Sequence, residues 1–296
     1  MKIYVRYILF RLVITVCNVL PQRFLYCIAL RIADLNYFWL DRKGRAAVES
    51  NLRGILPDAT QARIDKEARW VFRNFAKYLT EFFRFRHFNL EWFRTNMAIF
   101  GMHHIEKALA EGKGCITSSA HLSNWELGAA GLSIMGGKKL TVSVAMHRYG
   151  KINDLFMRER EAVGLRVADM EKDAARVMMR ALRRNEVIGV MGDRDPTHQG
   201  VMVQFQGRPC RFPQGPARLS LATGAPVVPA FCLRRSNDSF SMVFLPPIPI
   251  PEEGTRDEKV VKMTQAFADI IAETIRVHPE QWAVFYPFWE ADWKPE

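Results

Sequence analysis

From the N-terminus to about residue 110, apolar side chains recur at three- and four-residue steps; beyond Gly114, short apolar runs alternate with such stretches. The first pattern predicts helices. Its clearest case is residues 67–85, where Trp70, Phe72, Phe75, Leu79, Phe82 and Phe83 recur at helical spacing and Arg69, Arg73 and Lys77 mark another face. Rings at that spacing are core. In the second region, residues 115–118, 140–145, 187–191, 227–233 and 241–245 read as strands. Helical patterns near 124–135, 153–163, 174–185, 216–223 and 259–278 fall between or after them. Strands alternating with helices predict an α/β fold: a mainly parallel central sheet flanked by helices. The proline-rich run 246–251 is excluded as a central strand, because proline lacks the amide donor.

The chain has 296 residues, no internal repeat and no Gly/Ser or Pro linker. It reads as one compact unit in which a helical N-terminal segment, residues 1–40, precedes the main domain, residues 41–296. The N-terminal segment is apolar but carries Arg6, Arg11, Arg23 and Arg31. Its longest uncharged stretch, 12–22, is shorter than the roughly 20 apolar residues of a spanning helix. No small-residue cleavage site follows, as a signal peptide requires. An interfacial or shallowly inserted helix whose arginines reach headgroups is the preferred reading, with a buried first helix of the core as the alternative.

A net charge of +11 points to an acidic partner: nucleic acid, anionic lipid or an acidic carrier protein. The basic residues are dispersed and no nucleic-acid motif occurs, so no nucleic-acid partner is expected. Cys17, Cys27, Cys115, Cys210 and Cys232 are scattered without metal or redox spacing and read as small buried hydrophobes.

The stretch SSAHLSNWE, residues 118–126, carries the chemistry. Inside one helix, His121 and Glu126 would point about 140° apart. If the strand ends near Ser118 and a helix begins at Ser123 or Asn124, His121 lies in the turn and Glu126 in the first helical turn. The two can then meet at the C-terminal edge of a parallel strand, where open α/β sheets place their sites. The same letters also spell a capping box, with Ser123 as cap and Glu126 bonding back. Asp193-Arg194-Asp195 follows a buried-looking run and sits at a strand end. Arg194 there is suited to a phosphate or an oxyanion, or to an ion pair with its neighbouring aspartates. Gly215-Pro216-Ala217 opens a helix whose amides suit an anion, with Arg208, Arg211 and Arg218 of matching sign. His103, His104 and His147 lack partners at ligand spacing, and no metal is expected.

HLSNWE resembles the H-x4-[D/E] signature of glycerolipid-type acyltransferases, and in its HxxNWE form the late acyltransferases of lipid A biosynthesis (the lauroyl/myristoyl type). The similarity extends through RAAVESNL (45–52), VMGDRD (190–195), FQG (205–207), GPA (215–217), TGAPVVP (223–229) and HPEQW (278–282), in the family's order. After HPEQW the chain reads AVFYPFW, where the family's usual Trp, His and Arg are replaced. The resemblance implies acyl transfer from a thioester to a hydroxyl, with His121 as general base and Glu126 fixing its tautomer. Asn124, Asp193, Arg194, Asp195, Gly215 and Arg218 are the candidate substrate-binding or oxyanion residues. It implies no cofactor beyond the donor, acyl carrier protein or acyl-CoA. The implied acceptor is a glycolipid such as a lipid A precursor, or a phosphatidylinositol mannoside; water in its place would make a thioesterase. The implied location is the cytoplasmic face of a bacterial inner membrane, held peripherally or by a single N-terminal anchor. Trp125, Leu127, Phe205 and Phe212 are candidate linings for an acyl groove.

Overall fold

The computed structural model describes residues 2–145, 150–195 and 198–289. The N-terminal section holds α1 (Lys2–Val19), α2 (Gln22–Leu35), a π-helical turn (Asn36–Leu40), α3 (Arg42–Ile55), α4 (Gln61–Phe82) and α5 (Leu90–Asn96). Next come β1 (Met97–Phe100), α6 (Met102–Ala110), β2 (Cys115–Ser119), α7 (Trp125–Ile134), β3 (Leu140–Val144), α8 (Gly150–Ala162) and β4 (Arg166–Asp169). The chain continues through α9 (Ala174–Arg183), β5 (Val187–Met191), β6 (Val201–Phe205), β7 (Arg208–Phe212) and α10 (Gly215–Thr223). It closes with β8 (Val227–Arg234), β9 (Phe240–Phe244) and α11 (Arg256–Val277).

Seven strands form one sheet in the order β1-β9-β8-β2-β5-β3-β4, and β6 with β7 makes a separate antiparallel hairpin. Within the sheet only β8–β9 is antiparallel. β2 lies between β8 and β5 and carries no charge; Cys115 through Ser118 are buried, as a central parallel strand with both faces covered requires. The five strands expected from the sequence are present within a residue or so of their expected ends. The expectation of helix throughout the first 110 residues missed β1, a four-residue strand that pairs only with β9. β4 and the β6–β7 hairpin also went unseen, because exposed positions, one of four in β4, two of five in β6 and three of five in β7, break the apolar run. The proline-rich stretch gives a single bridge, in which Ile248 N donates to Val227 O at 2.8 Å.

α4 explains its own boundaries. Thr60 caps it by accepting from Arg63 N at 3.4 Å, and Ile64, Ala68, Val71, Phe72 and Phe82 make the buried stripe that holds it on the body. α2 packs on α4, where the Asp34 carboxylate receives both Arg69 and Arg73, each in two bonds of 2.8 Å.

α1 and α2 bury Ile14, Cys17, Leu25, Ala29 and Ala33 inward. Their outward faces leave Leu9, Leu12, Phe24 and Ile32 exposed, and the π turn leaves Trp39 and Leu40 65% and 67% exposed. Arg11, Arg23 and Arg31 are exposed beside them. No described helix is long and apolar enough to cross a membrane. Cys27 lies on this outward side and is exposed, a correction to the expectation that all five cysteines are buried; the other four are.

Candidate active site

β2 and β5 run side by side and parallel, so the residues just beyond their ends emerge at the same edge of the sheet. His121 follows β2 and Asp193 follows β5. The ring Nδ1 of His121 lies 2.8 Å from Oδ1 of Asp193, and the His121 backbone N–H donates to Oδ2 at 2.9 Å. A carboxylate only accepts, so Nδ1 carries the hydrogen, and when the ring is neutral Nε2 holds the free lone pair. The His121 side chain keeps 17% of its surface exposed while that of Asp193 is sealed. Burial by itself pushes the Asp193 carboxyl up. The charge and hydrogen bonds of His121, together with nearby Arg194, outweigh burial and hold it below the ordinary carboxylate value.

The imidazole thus has a different carboxylate from the one that its local spacing suggested. Glu126 does lie in the first turn of α7, but its carboxylate is taken by Arg160 of α8 through Nε at 3.1 Å to both oxygens and through a shorter bond from Nη2. The capping box is also absent. Ser123 adopts φ +52, outside helix, and Asn124 is the cap, its Oδ1 accepting from Leu127 N at 2.9 Å. Sliding the helix start by one residue removes Glu126 from the position where it bonds back to the cap.

Asn124 is fully buried and both ends of its amide are in use, so it holds α7 in place of substrate. Its Nδ2 donates to Glu81 Oε2 at 2.6 Å. Glu81, sealed from solvent on α4, also receives Arg234 in two bonds of 2.6 and 2.9 Å and the Tyr26 hydroxyl. Breaking such a buried pair typically costs about 3–5 kcal/mol. Sequence reading missed Glu81 and Arg160. The signal for Glu81 was an acid placed among the apolar positions of LTEFF, residues 79–83.

Among the other candidates, Arg194 stays near the pair, its guanidinium 4.8 Å from the centre of the Tyr286 ring. Asp195 Oδ2 accepts from Gly200 N at 2.6 Å. Gly215 and Pro216 open α10 as expected, but Arg218 bonds Gln214 and pairs with Asp257 at the surface. Leu127, Phe205 and Phe212 are fully buried and belong to the core, not to an open groove. Trp125 alone of the proposed linings borders the site, edge-to-face with His121 at 4.9 Å and stacked on Tyr78 at 4.4 Å. His147 lies outside the described residues.

A mostly parallel α/β sheet with a histidine–carboxylate pair at its C-terminal edge is the frame of a transferase or hydrolase site. The chain matches the family of bacterial lipid A biosynthesis acyltransferases over residues 1–291 and belongs to it: it is an acyltransferase. Similar curated proteins include the phosphatidylinositol mannoside acyltransferase of Mycobacterium tuberculosis (strain ATCC 25618 / H37Rv), 31% identical over 224 residues, 74% of this chain and 69% of that protein. The phosphatidylinositol mannoside acyltransferase of Mycolicibacterium smegmatis is 29% identical over 226 residues, 75% of this chain and 72% of that one.

Proposed function

We propose that this acyltransferase moves a fatty acyl chain from a thioester, of acyl carrier protein or coenzyme A, to a hydroxyl of a glycolipid at a membrane surface. The observation that carries the reading is the His121–Asp193 pair at the ends of β2 and β5, with part of the His121 side chain reachable from solvent. With Nδ1–H committed to Asp193, Nε2 takes the proton of the acceptor hydroxyl as its oxygen attacks the thioester carbonyl. Asp193 stabilises the imidazolium. Collapse of the tetrahedral intermediate breaks the C–S bond, and the leaving sulfur takes the proton back from Nε2. General-base help of this kind contributes about 10²–10⁴-fold. Arg194 is the nearby cation suited to a developing oxyanion or to a phosphate of either substrate. Glu126, paired with Arg160, supports the turn that presents His121.

The apolar outward face of α1, α2 and the π turn, edged by Arg11, Arg23 and Arg31, supports seating on an anionic bilayer. The net charge of +11 suits such a surface and an acidic carrier alike. The family's description favours a lipid A precursor as acceptor. A second reading, a mannosylated phosphoinositide, is favoured by the relatives named above. The test is mass spectrometry of lipids from cells with and without this chain. A glycolipid heavier by one acyl chain is expected only when it is present, and that mass names donor length and acceptor together. Free fatty acid with no acylated lipid would replace the transferase with a thioesterase.

A further inference from the structure

The C-terminal motif His278–Trp282 has no part in the chemistry above, yet together with Ala283 it contacts His121, Leu122, Ser123 and Asp193. Pro279–Gln281 forms a 3-10 turn after α11. From there the chain crosses the turn at His121 as a short antiparallel strap. Ser123 N donates to Gln281 O at 2.8 Å, Leu122 and Trp282 pair as an isolated bridge, and Ala283 N donates to His121 O at 2.8 Å. Trp282 is buried, and its indole Nε1–H donates to Asp193 Oδ2 at 3.4 Å, the same oxygen that accepts the His121 amide.

Both backbone polar groups of His121 are therefore fixed, the N–H by Asp193 and the C=O by the strap. The turn they hold contains Ser123 at φ +52, a left-handed conformation that costs a non-glycine residue free energy and persists only when its surroundings enforce it. The strap is itself anchored at both ends. Upstream, the Gln281 amide brackets the Arg234 backbone at 2.9 and 3.0 Å, and Asn74 Nδ2 donates to Glu280 O at 2.8 Å. Downstream, Asn51 donates to Val284 O and Tyr286 O at 3.1 and 2.8 Å and accepts from Phe288 N at 2.9 Å.

We propose that the strap Gln281–Ala283 sets the catalytic geometry, and that Trp282 is a positioning residue that fixes the Asp193 carboxylate against the His121 ring. A carboxylate whose Oδ2 has two donors is locked in rotation, so Oδ1 faces Nδ1 without searching. The inference rests on His121 and Asp193 being the reacting pair.

Trp282→Phe tests it, since the ring still fills the space beside Phe205 and Phe288 while the N–H is lost. In the full chain, with a long-chain acyl-CoA as donor and a phosphatidylinositol mannoside as acceptor, kcat is expected to fall about tenfold with KM nearly unchanged. Independently of substrate, the chain labelled with 15N at its seven histidines should show the Asp193-bonded Nδ1–H resonance of His121, assigned by its loss in His121→Ala. In Trp282→Phe that resonance is expected to broaden or move. A purely structural tryptophan would lower the melting temperature and leave both readouts alone, and that result overturns the proposal. If Trp282→Phe does not fold, Gln281→Ala, which unties the strap from Arg234, should shift the same resonance; an unchanged one overturns the proposal. Full transfer by His121→Ala would instead show that the reacting pair was misassigned.

Discussion

Nδ1 of His121 and Oδ1 of Asp193 meet at 2.8 Å although 72 residues separate them in sequence. The contact exists because β2 and β5 are parallel neighbours that end together. Asp193→Asn keeps the shape of the side chain but loses the charge and the tautomer preference. Acyl transfer is expected to fall by at least about 100-fold with the fold retained, measured as kcat alongside circular dichroism. Wild-type kcat in that variant would remove Asp193 from the mechanism.

Glu126 and Arg160 form a largely buried pair, with 8% and 11% of their side chains exposed. Glu126→Ala leaves the guanidinium stranded and should destabilise by about 3–5 kcal/mol. Replacing both, as Glu126→Leu with Arg160→Met, should recover most of that loss in urea denaturation. A double variant as unstable as Glu126→Ala contradicts the pairing.

Asp34 joins α2 to α4, and the hydrogen bonds from Arg69 and then Arg73 hold its carboxyl well below the usual range. A depressed folded value stabilises the protein above the unfolded value of about 4, and that stabilisation is lost as pH falls through the folded value. Asp34→Asn should therefore cost about 1–2 kcal/mol near neutrality. Thermal melts should show the gap to wild type constant from about pH 7 to 5 and narrowing below about pH 4. A gap that persists undiminished in acid contradicts the assignment.

Burial pushes the Cys115 thiol up to about 12 and the Cys210 thiol to about 11, whereas Cys27 is exposed on α2. A thiol reagent should add one label to the folded chain, at Cys27, as read by mass spectrometry. Vesicles with anionic lipid should slow that labelling if this face meets the bilayer. An equal rate with and without vesicles contradicts the membrane seating.

Gly192 precedes Asp193 and has no room for a side chain: a Cβ there would sit 2.2 Å from Phe267 Cε1 and 2.8 Å from Ser118 Oγ. Gly192→Ala should destabilise by about 1–3 kcal/mol and weaken transfer by displacing Asp193. Adding Phe267→Leu should restore part of both in melting and turnover measurements; no loss in the single variant contradicts the packing.

The strand–turn–helix around His121 was legible, because an uncharged strand run, small residues and a cap-rich start are local signals. The identity of its carboxylate was not. Local spacing nominated Glu126, but Asn124 took the cap at the one-residue offset set by the Ser123 turn, and Asp193 came from a strand whose neighbour only the sheet order reveals. Arg218 carried a promising charge in a promising motif, yet a surface aspartate claims it. Phe205 and Phe212 could not be told from groove walls by composition, since a core and a lipid channel draw on the same side chains. The apolar outward face of α1 and α2 was foreshadowed by arginines spaced through a greasy stretch.

The central claim is that the His121 imidazole draws the proton from an acceptor alcohol during acyl transfer. The most direct measurement follows the mass of a phosphatidylinositol mannoside and of a lipid A precursor incubated with acyl thioester and either wild-type protein or His121→Ala. One acceptor should gain a single acyl chain with the wild type and none within the same time with the folded variant. Equal acylation by both proteins would contradict the account.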